Sequence, residues 1–177
     1  MIVVYIDMCA DLLHYGHIRF IKKAKKFGDK LIVGLHSDET IESYKRKPFL
    51  TFEERKEILE SVKYIDKIID DAPINPKEEY FKNLKIDLMV IPDNCCEEKI
   101  KKLYKYPYEN NMLKIINYTK EISTTDISKR ITDRNNKEKF ILPNLNDKQM
   151  MFDSGVVWHL TSPSERINRF IAQYEIF

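Results

Sequence analysis

Apolar residues in this chain fall into five short runs, each separated from the next by a longer segment. The runs cover residues 2–6, 31–35, 65–69, 86–91 and 113–116. Continuous apolar runs of this length are typical of parallel strands that are buried on both faces. Asp66 and Lys67 make the third run less apolar than the others. The pattern therefore predicts five strands.

Between the runs, apolar spacing and end signals predict helices. The first has helical spacing and is followed by Gly28, a residue suited to ending a helix. Thr51 and Glu54 have capping-box spacing, and Pro76 suits the first turn of a helix. Ser123 is a good cap for the last helix. The predicted helices cover residues 18–27, 38–45, 51–61, a segment from 76, 97–104 and 123–131.

Strands that alternate with helices predict an α/β domain, with a parallel sheet covered by helices on both faces. Ligands of such folds bind at the carboxyl ends of the strands, so we expect a site formed by the loops after residues 6, 35 and 91. The composition changes at the highly charged segment 133–139, so we place one domain at 1–131 and an extension at 132–177. That extension combines a linker with an amphipathic helix from Ser162, whose apolar stripe is Ile167, Phe170, Ile171 and Tyr174. It either packs on the domain or on a partner, or begins a further domain.

Composition narrows the class of protein. Hydrophobic residues make up 43% of the chain, enough for a core, and the net charge of +2 argues against a general nucleic-acid binder. No run of about 18 apolar residues is present, and the first apolar run is too short for a signal peptide, so we expect a cytoplasmic protein. The three cysteines have the spacing of neither a disulfide framework nor a zinc site.

The strongest candidate for chemistry is His14-Tyr15-Gly16-His17, which follows the first strand and opens a helix. A glycine lets backbone approach a ligand closely, and a helix N-terminus favours an anion. Two imidazoles there can donate hydrogen bonds to phosphate oxygens. Nucleotidyl transfer needs mainly positioning and charge stabilisation, which this arrangement can supply. A metal site is the rival hypothesis, but the zincin type would also need a glutamate nearby.

These residues resemble the HxGH signature of the nucleotidyltransferase superfamily, and the segments after them resemble the cytidylyltransferases. The similarity extends through four further segments to about residue 131. The residues of the histidine motif, His-Tyr-Gly-His, are similar to those of the ethanolamine-phosphate type. Choline-phosphate and glycerol-3-phosphate cytidylyltransferases are also similar. The segments are 29–39, 45–55, 64–69 and the closing 121–127.

The resemblance implies transfer of CMP from CTP to a small phospho-alcohol, with release of pyrophosphate and with Mg²⁺ bound through the triphosphate. It implies that His14, His17 and Lys45 are catalytic, and that Asp38 and Arg55 serve the acceptor. Either Asp93 or Asn94 would read cytosine. It also implies a homodimer. The remaining CTP-binding residues implied are Asp7, Met8, Cys9, Asp11, Gly16, Ile122, Ser123, Thr124 and Thr125.

Four positions depart from the pattern of these enzymes, and one of them is Ala10, where they usually have an aromatic residue. Met8 stands where they usually have glycine, Tyr118 where they usually have arginine, and Glu121 where they usually have glycine. The tyrosine carries no positive charge for a phosphate, and a glutamate facing inward would repel one. Two alternatives therefore stand beside the main hypothesis: an adenylyltransferase of the same superfamily, or a degenerate nucleotide-binding module of a larger protein.

Overall fold

A five-stranded parallel sheet forms the centre of the protein in this computed structural model. The structure describes residues 1–141, 149–151 and 157–159, with side chains for residues 1–136. The strands lie in the order β3-β2-β1-β4-β5, and every pairing between them is parallel. Their bounds are β1 Val3–Met8, β2 Lys30–Leu35, β3 Lys67–Ile69, β4 Leu88–Pro92 and β5 Leu113–Ile116.

Helices occupy most of the segments between these strands. Their bounds are α1 Tyr15–Lys25, α2 Asp38–Glu42, α3 Phe52–Glu60, α4 Glu78–Leu84, α5 Glu97–Leu103, α6 Lys105–Glu109 and α7 Thr124–Ile141. Two further strands, β6 Gln149–Met151 and β7 Val157–His159, form an antiparallel pair of their own. No helix in the described part of the chain is long and apolar enough to cross a membrane.

The two faces of the sheet bury two separate hydrophobic clusters. Val4 and Ile6 of β1 pack with Ile21 of α1 and Leu59 of α3 on one face. Tyr5 of the same strand packs on the other face, against residues of α4 and α5 such as Phe81 and Ile100. Because side chains alternate along a strand, one apolar run supplies both clusters. This confirms the predicted α/β fold with helices on both faces.

Several element ends differ from the prediction for local reasons. β3 begins only at Lys67, because the Asp66 carboxylate accepts from Lys25 Nζ and from the backbone N–H of Leu31. The helix predicted from Pro76 begins at Glu78, α2 ends at Glu42, and α6 was not predicted. The last helix continues past residue 131 to Ile141.

Gly28 is required for packing and not for a left-handed helix end. The cap of α1 is Lys26, which has right-handed helical dihedral angles. A Cβ on Gly28 would lie 2.7 Å from the carbonyl oxygen of Ile2 and 2.7 Å from Val4 Cγ2. The glycine therefore lets the turn after α1 approach β1 closely.

The chain divides into two compact units, Met1–Ser128 and Lys129–Phe177. The predicted boundary after residue 131 falls within α7, and the two-domain organisation stays a prediction. The predicted helix from Ser162 and its stripe lie outside the described residues.

Candidate active site

The loop between β1 and α1 is the centre of the candidate site. Ala10 and Leu12 have φ values of 55° and 46°, in the left-handed region that non-glycine residues adopt rarely. Both flank Asp11, whose side chain is buried with only 7% of the residue exposed. Strained backbone of this kind is often found where function demands a particular loop geometry.

His14 and His17 form a stacked pair at the start of α1. Their ring centroids lie 3.9 Å apart with an angle of 27° between the planes. The N–H of Gly16 donates to His14 Nδ1 at 3.1 Å, and the N–H of His14 donates to His17 Nδ1 at 3.3 Å. Because both Nδ1 atoms accept, the neutral rings carry their hydrogens on Nε2. Each ring therefore keeps one donor for a ligand.

Burial keeps these imidazoles neutral near pH 7. Burial is the main cause that lowers the pKa of His17 to about 4, and the charges of His14 and Lys45 lower it further. Burial also lowers the pKa of His14, against the opposing effect of Asp126. The effect of Lys45 on His17 shows that its ammonium lies within electrostatic reach of the pair. His14 and His17 are thus in direct contact, and Lys45 acts on His17 through its charge.

Gly16 is the residue that allows the histidine loop to close. A Cβ on Gly16 would lie 2.9 Å from His14 Cε1 and Nδ1, and 3.1 Å from Ile122 Cγ2. Any larger residue would therefore displace either the imidazole that caps α1 or Ile122. Since Ile122 directly precedes Ser123, the same contact places the predicted closing motif beside the histidines.

Asp11 holds the loop that carries Lys45. Its Oδ1 accepts from the backbone N–H groups of Phe49 and Leu50 at 3.0 and 3.2 Å, and its Oδ2 lies 3.4 Å from Arg46 Nη2. The hydroxyl of Thr124 donates to the carbonyl oxygen of Asp11 at 2.8 Å. Asp11 therefore joins the lysine loop to the closing motif, and we interpret it as a positioning residue.

Arg55 lies within the core of the fold, with no exposed surface. Its Nη1 donates to the carbonyl oxygen of Cys9 at 2.6 Å, and both Nη atoms donate to the carbonyl oxygen of His36 at 3.0 Å. Its Nη2 also forms an ion pair with Asp38 Oδ1. No part of Arg55 is open to an incoming phosphate. We therefore interpret it as a positioning residue for the ends of β1 and β2 instead of an acceptor ligand.

Asp38 is also engaged within the protein. One carboxylate oxygen accepts from Arg55, and the other accepts from the backbone N–H of Phe52 at 3.3 Å. Because this N–H belongs to the first turn of α3, the carboxylate supports a helix start. The predicted role of Asp38 in shaping the acceptor pocket stays a prediction.

Asp7, at the end of β1, has a buried carboxylate oxygen without a partner. Tyr104 donates to Oδ1 at 3.3 Å, whereas Oδ2 has no hydrogen-bond partner among the described residues. Burial raises the pKa of Asp7 to about 6, against the opposing effects of His36 and Tyr104. Its negative charge helps to raise the pKa values of four phenols, those of Tyr5, Tyr44, Tyr80 and Tyr104, of which Tyr104 contacts it directly.

A partly exposed carboxylate that has one unpaired oxygen and one contact with a tyrosine hydroxyl is suited to binding a cation. The resemblance implied that Asp7 belongs to the CTP site, and nothing in the sequence indicated this arrangement. Tyr104 comes from the end of α5, and no local signal links it to Asp7, which is 97 residues away.

Met8 and Cys9 occupy different environments. Met8 packs in the hydrophobic cluster with α1, so its side chain does not crowd the loop. Cys9 Sγ lies 2.9 Å from the hydroxyl of Tyr44. This contact ties the β1 loop to the residue before Lys45.

The predicted nucleotide-reading residues are more exposed. Asp93 and Asn94 are both exposed after β4, and Asp93 Oδ1 accepts from the backbone N–H of Tyr118 at 2.6 Å. Ser123 Oγ donates to Asp126 Oδ2 and accepts from the N–H of Asp126, as a helix cap does. Thr125 is exposed. The choice between Asp93 and Asn94 stays open.

The structure shows where the unusual closing-motif residues lie. Glu121 forms an exposed ion pair with Arg19 at 3.7 Å, and Arg19 lies over the ring of Tyr15. The charge of Glu121 is therefore partly offset. Tyr118 donates through its hydroxyl to the carbonyl oxygen of Ile122 at 3.4 Å, and carries no charge.

Residues 5–130 match the cytidylyltransferase-like family, a range that contains the histidine loop, the Lys45 loop and the closing motif. The chain belongs to this family. The match confirms the resemblance that the sequence motifs indicated.

Known relatives of this cytidylyltransferase-like chain include enzymes with different names. It is 35% identical over 133 residues to an ethanolamine-phosphate cytidylyltransferase of Arabidopsis thaliana, covering 72% of this chain and 32% of the relative. It is 31% identical over 172 residues to the Dictyostelium discoideum enzyme of the same name, covering 95% of this chain and 47% of the relative. The chain thus spans less than half the length of these relatives.

A third relative is an FAD synthase of Pyrococcus abyssi, 36% identical over 129 residues, covering 70% of this cytidylyltransferase-like chain and 87% of the relative. Among solved structures, a lipopolysaccharide core biosynthesis protein of Thermoplasma volcanium is similar with a TM-score of 0.56 and 24% identity, covering 69% of this chain and 99% of that one. At this identity the structural similarity supports the fold alone.

Proposed function

We propose that this protein transfers CMP from CTP to ethanolamine-phosphate and releases pyrophosphate. The observation that carries the proposal is the stacked pair of His14 and His17, whose Nδ1 atoms are tied to backbone and whose Nε2–H groups remain available. Together with Lys45 and the N-terminus of α1, they provide donors for a triphosphate. The names of the ethanolamine-phosphate relatives support the same choice.

The reaction is an in-line substitution at the α-phosphorus of CTP. A phosphate oxygen of the acceptor forms the new bond, and the bond to the bridging oxygen between the α- and β-phosphorus breaks. The bond electrons leave with pyrophosphate. Since the acceptor phosphate is already an anion, no general base is needed. The neutral imidazoles stabilise charge that develops on the phosphate oxygens.

The surroundings of Asp7 favour a primary ammonium on the acceptor. Asp7 is partly exposed as a residue, unlike Arg55, and its Oδ2 has no hydrogen-bond partner among the described residues. A primary ammonium would supply both a donor for this carboxylate and a compensating charge. A quaternary ammonium has no N–H, and the hydroxyls of glycerol 3-phosphate carry no charge.

The experiment is a series of acceptors that differ by one methyl group on nitrogen. With CTP and Mg²⁺, we expect kcat/KM to fall with each methyl from ethanolamine-phosphate to choline-phosphate, and glycerol 3-phosphate to be poor. Asp7→Asn should lower kcat/KM for ethanolamine-phosphate at least about 30-fold, because a buried charge pair loses one partner. The KM for CTP should change little. Equal rates with glycerol 3-phosphate, or an unaffected Asp7→Asn variant, would contradict the acceptor assignment.

An adenylyl transfer is the second candidate, because the FAD synthase of Pyrococcus abyssi is 36% identical. The same assay with ATP in place of CTP tests it. Pyrophosphate release with ATP alone would favour this candidate. Binding of nucleotide without release from any acceptor would favour a degenerate module.

We propose that Mg²⁺ enters with the triphosphate. The carboxylates nearest the histidines, Asp11 and Asp126, already accept hydrogen bonds, and no group of three or more His, Cys, Asp or Glu residues suited to a metal occurs among the described residues. The phosphate oxygens would then hold the ion, and bound Mg²⁺ would neutralise phosphate charge. The homodimer and the cytoplasmic location stay predictions.

A further inference from the structure

His36 directly follows β2, the strand that pairs with the strand of Asp7. In the parallel register Asp7 lies opposite Gly34, so His36 is two residues beyond the partner of Asp7. Tyr5 of β1 and Ile32 of β2 pack on the same face of the sheet. Because side chains alternate along a strand, Asp7 and His36 are directed to that face as well. The charge of His36 lowers the pKa of Asp7, as expected for two groups that share one region.

Contacts with the backbone and with one aromatic ring fix the imidazole of His36. Its Nδ1 lies 2.9 Å from the carbonyl oxygen of Ala72, and its backbone N–H donates to the carbonyl oxygen of Met8 at 3.2 Å. Its own carbonyl oxygen accepts from both Nη atoms of Arg55. The ring of Tyr44 packs edge-on, with the two centroids 6.1 Å apart. The imidazole is therefore held in one orientation.

The second ring nitrogen of His36 is available to a ligand. A carbonyl oxygen can only accept, so the neutral ring carries its hydrogen on Nδ1, and Nε2 is an acceptor. Nε2 has no hydrogen-bond partner in the part of the chain that the structure describes. The buried side-chain atoms that lack a partner there are Asp7 Oδ2 and Arg55 Nε. Since Nε2 is unpaired but is not one of these buried atoms, it is accessible to solvent.

We propose that His36 Nε2 is a second acceptor for the ammonium of ethanolamine-phosphate, and that together with Asp7 it selects a primary ammonium. This inference rests on the proposed function. A primary ammonium has three N–H donors, so it can donate to Asp7 Oδ2 and to His36 Nε2 at once. A quaternary ammonium has no N–H and leaves Nε2 without a donor. The bound ammonium favours the neutral imidazole, because two positive charges repel each other.

The wild-type protein tests the number of acceptors through the number of N–H donors. Calorimetry with CMP, which has no pyrophosphate to release, measures the affinity for each acceptor without turnover. Two acceptors need two N–H groups, so N-methylethanolamine-phosphate should bind within about threefold of ethanolamine-phosphate. The N,N-dimethyl compound has one N–H, and it should bind about tenfold less tightly, as loss of a hydrogen bond to a charged group predicts. A fall in affinity only at the third methyl would indicate one acceptor and would overturn the inference.

Two variants of His36 separate ligand binding from support of the fold. The amide of asparagine lies near the position of Nδ1, so His36→Asn can keep the hydrogen bond to Ala72 and removes the acceptor at Nε2. The amide of glutamine reaches the position of Nε2, so His36→Gln keeps an acceptor there and loses the contact with Ala72. Each variant is therefore the matched control of the other.

We expect His36→Asn to lower the affinity for ethanolamine-phosphate about tenfold or more, because its ammonium loses one hydrogen bond. The affinity for choline-phosphate should stay within about twofold, since that ligand has no N–H to lose. His36→Gln should bind ethanolamine-phosphate more tightly than His36→Asn does. The opposite order, or an equal loss for both ligands in His36→Asn, would show a structural role and overturn the inference. A wild type with the expected affinities that releases no pyrophosphate from CTP would instead contradict the proposed function and leave this inference standing.

Discussion

The two halves of the candidate site differ in how much of their polar chemistry is buried. On the side of Asp7, Tyr104 contacts the carboxylate and burial raises its pKa to about 6, and Arg55 ties the ends of β1 and β2 together without any exposed surface. On the nucleotide side, Asp93, Asn94 and Thr125 are exposed. The Nη atoms of Arg55 are paired within the protein, whereas the exposed groups are hydrated and accessible to a ligand. We infer that acceptor selectivity is built into the core and that nucleotide contacts form at the surface.

Removing Arg55 should show the largest effect, because it belongs wholly to the buried half. Arg55→Met leaves the carbonyl oxygens of Cys9 and His36 and the carboxylate of Asp38 without their donors. We expect the free energy of unfolding, measured with urea, to fall by about 3–5 kcal/mol. The control is Lys56→Gln, the next residue, which pairs with Asp70 at the surface. A loss as small as that of the control would refute the structural role of Arg55.

His17 belongs to the stacked histidine pair, and its removal should affect turnover more than folding. We expect His17→Ala to lower kcat about 10²–10³-fold, as loss of one donor to a developing oxyanion does. Lys22→Ala on the exposed side of the same helix serves as the control. Pyrophosphate release gives kcat, and circular dichroism checks the fold. Near wild-type turnover would remove His17 from the mechanism.

Asp7→Asn should raise the stability of the protein while it lowers the activity towards ethanolamine-phosphate. Burial raises the pKa of Asp7 from 3.8 to about 6, so its ionised form is disfavoured in the folded state. The wild type therefore loses stability as pH rises from about 4 to about 6, and the variant should be more stable by about 1–3 kcal/mol at pH 7. Below pH 4 the two proteins should converge. An equal difference at all pH values would show that Asp7 does not titrate in this way.

The same ionisation predicts a pH dependence of activity. The carboxylate must be charged to hold an ammonium, so kcat/KM for ethanolamine-phosphate should fall as pH decreases through about 6. The substrate phosphate also titrates, and the Asp7→Asn variant isolates that contribution. If both proteins have the same profile, Asp7 does not contribute to it.

Ser123→Ala should have the smallest effect and tests the exposed half. Its hydroxyl accepts from the N–H of Asp126 and donates to the Asp126 carboxylate. Loss of this cap should cost about 1 kcal/mol of stability, with a KM for CTP within about threefold of wild type. Lys129→Ala, at an exposed position of the same helix, is the control. A KM raised more than tenfold at unchanged stability would make Ser123 mainly a phosphate ligand.

Local patterns predicted much of the fold because they reflect local physics. The five strands follow from continuous apolar runs, and Thr51 caps α3 with Glu54 as the spacing predicts. His14, Gly16 and His17 could be found together because one helix start contains all three. Arg55 was misinterpreted, since an arginine in sequence indicates charge but not whether the fold encloses it. Gly28 was misinterpreted because its neighbour, β1, is distant along the chain.

By itself, the sequence determined the order of strands and helices and the family to which the chain belongs, since both depend on patterns within short segments. The tertiary structure alone decided that the hydroxyl of Tyr104 would donate to the carboxylate of Asp7. It also decided that Asp11 would contact both Arg46 and Thr124. These contacts connect segments far apart in the chain. Their charges and pKa values depend on burial, and burial exists only once the segments have packed together.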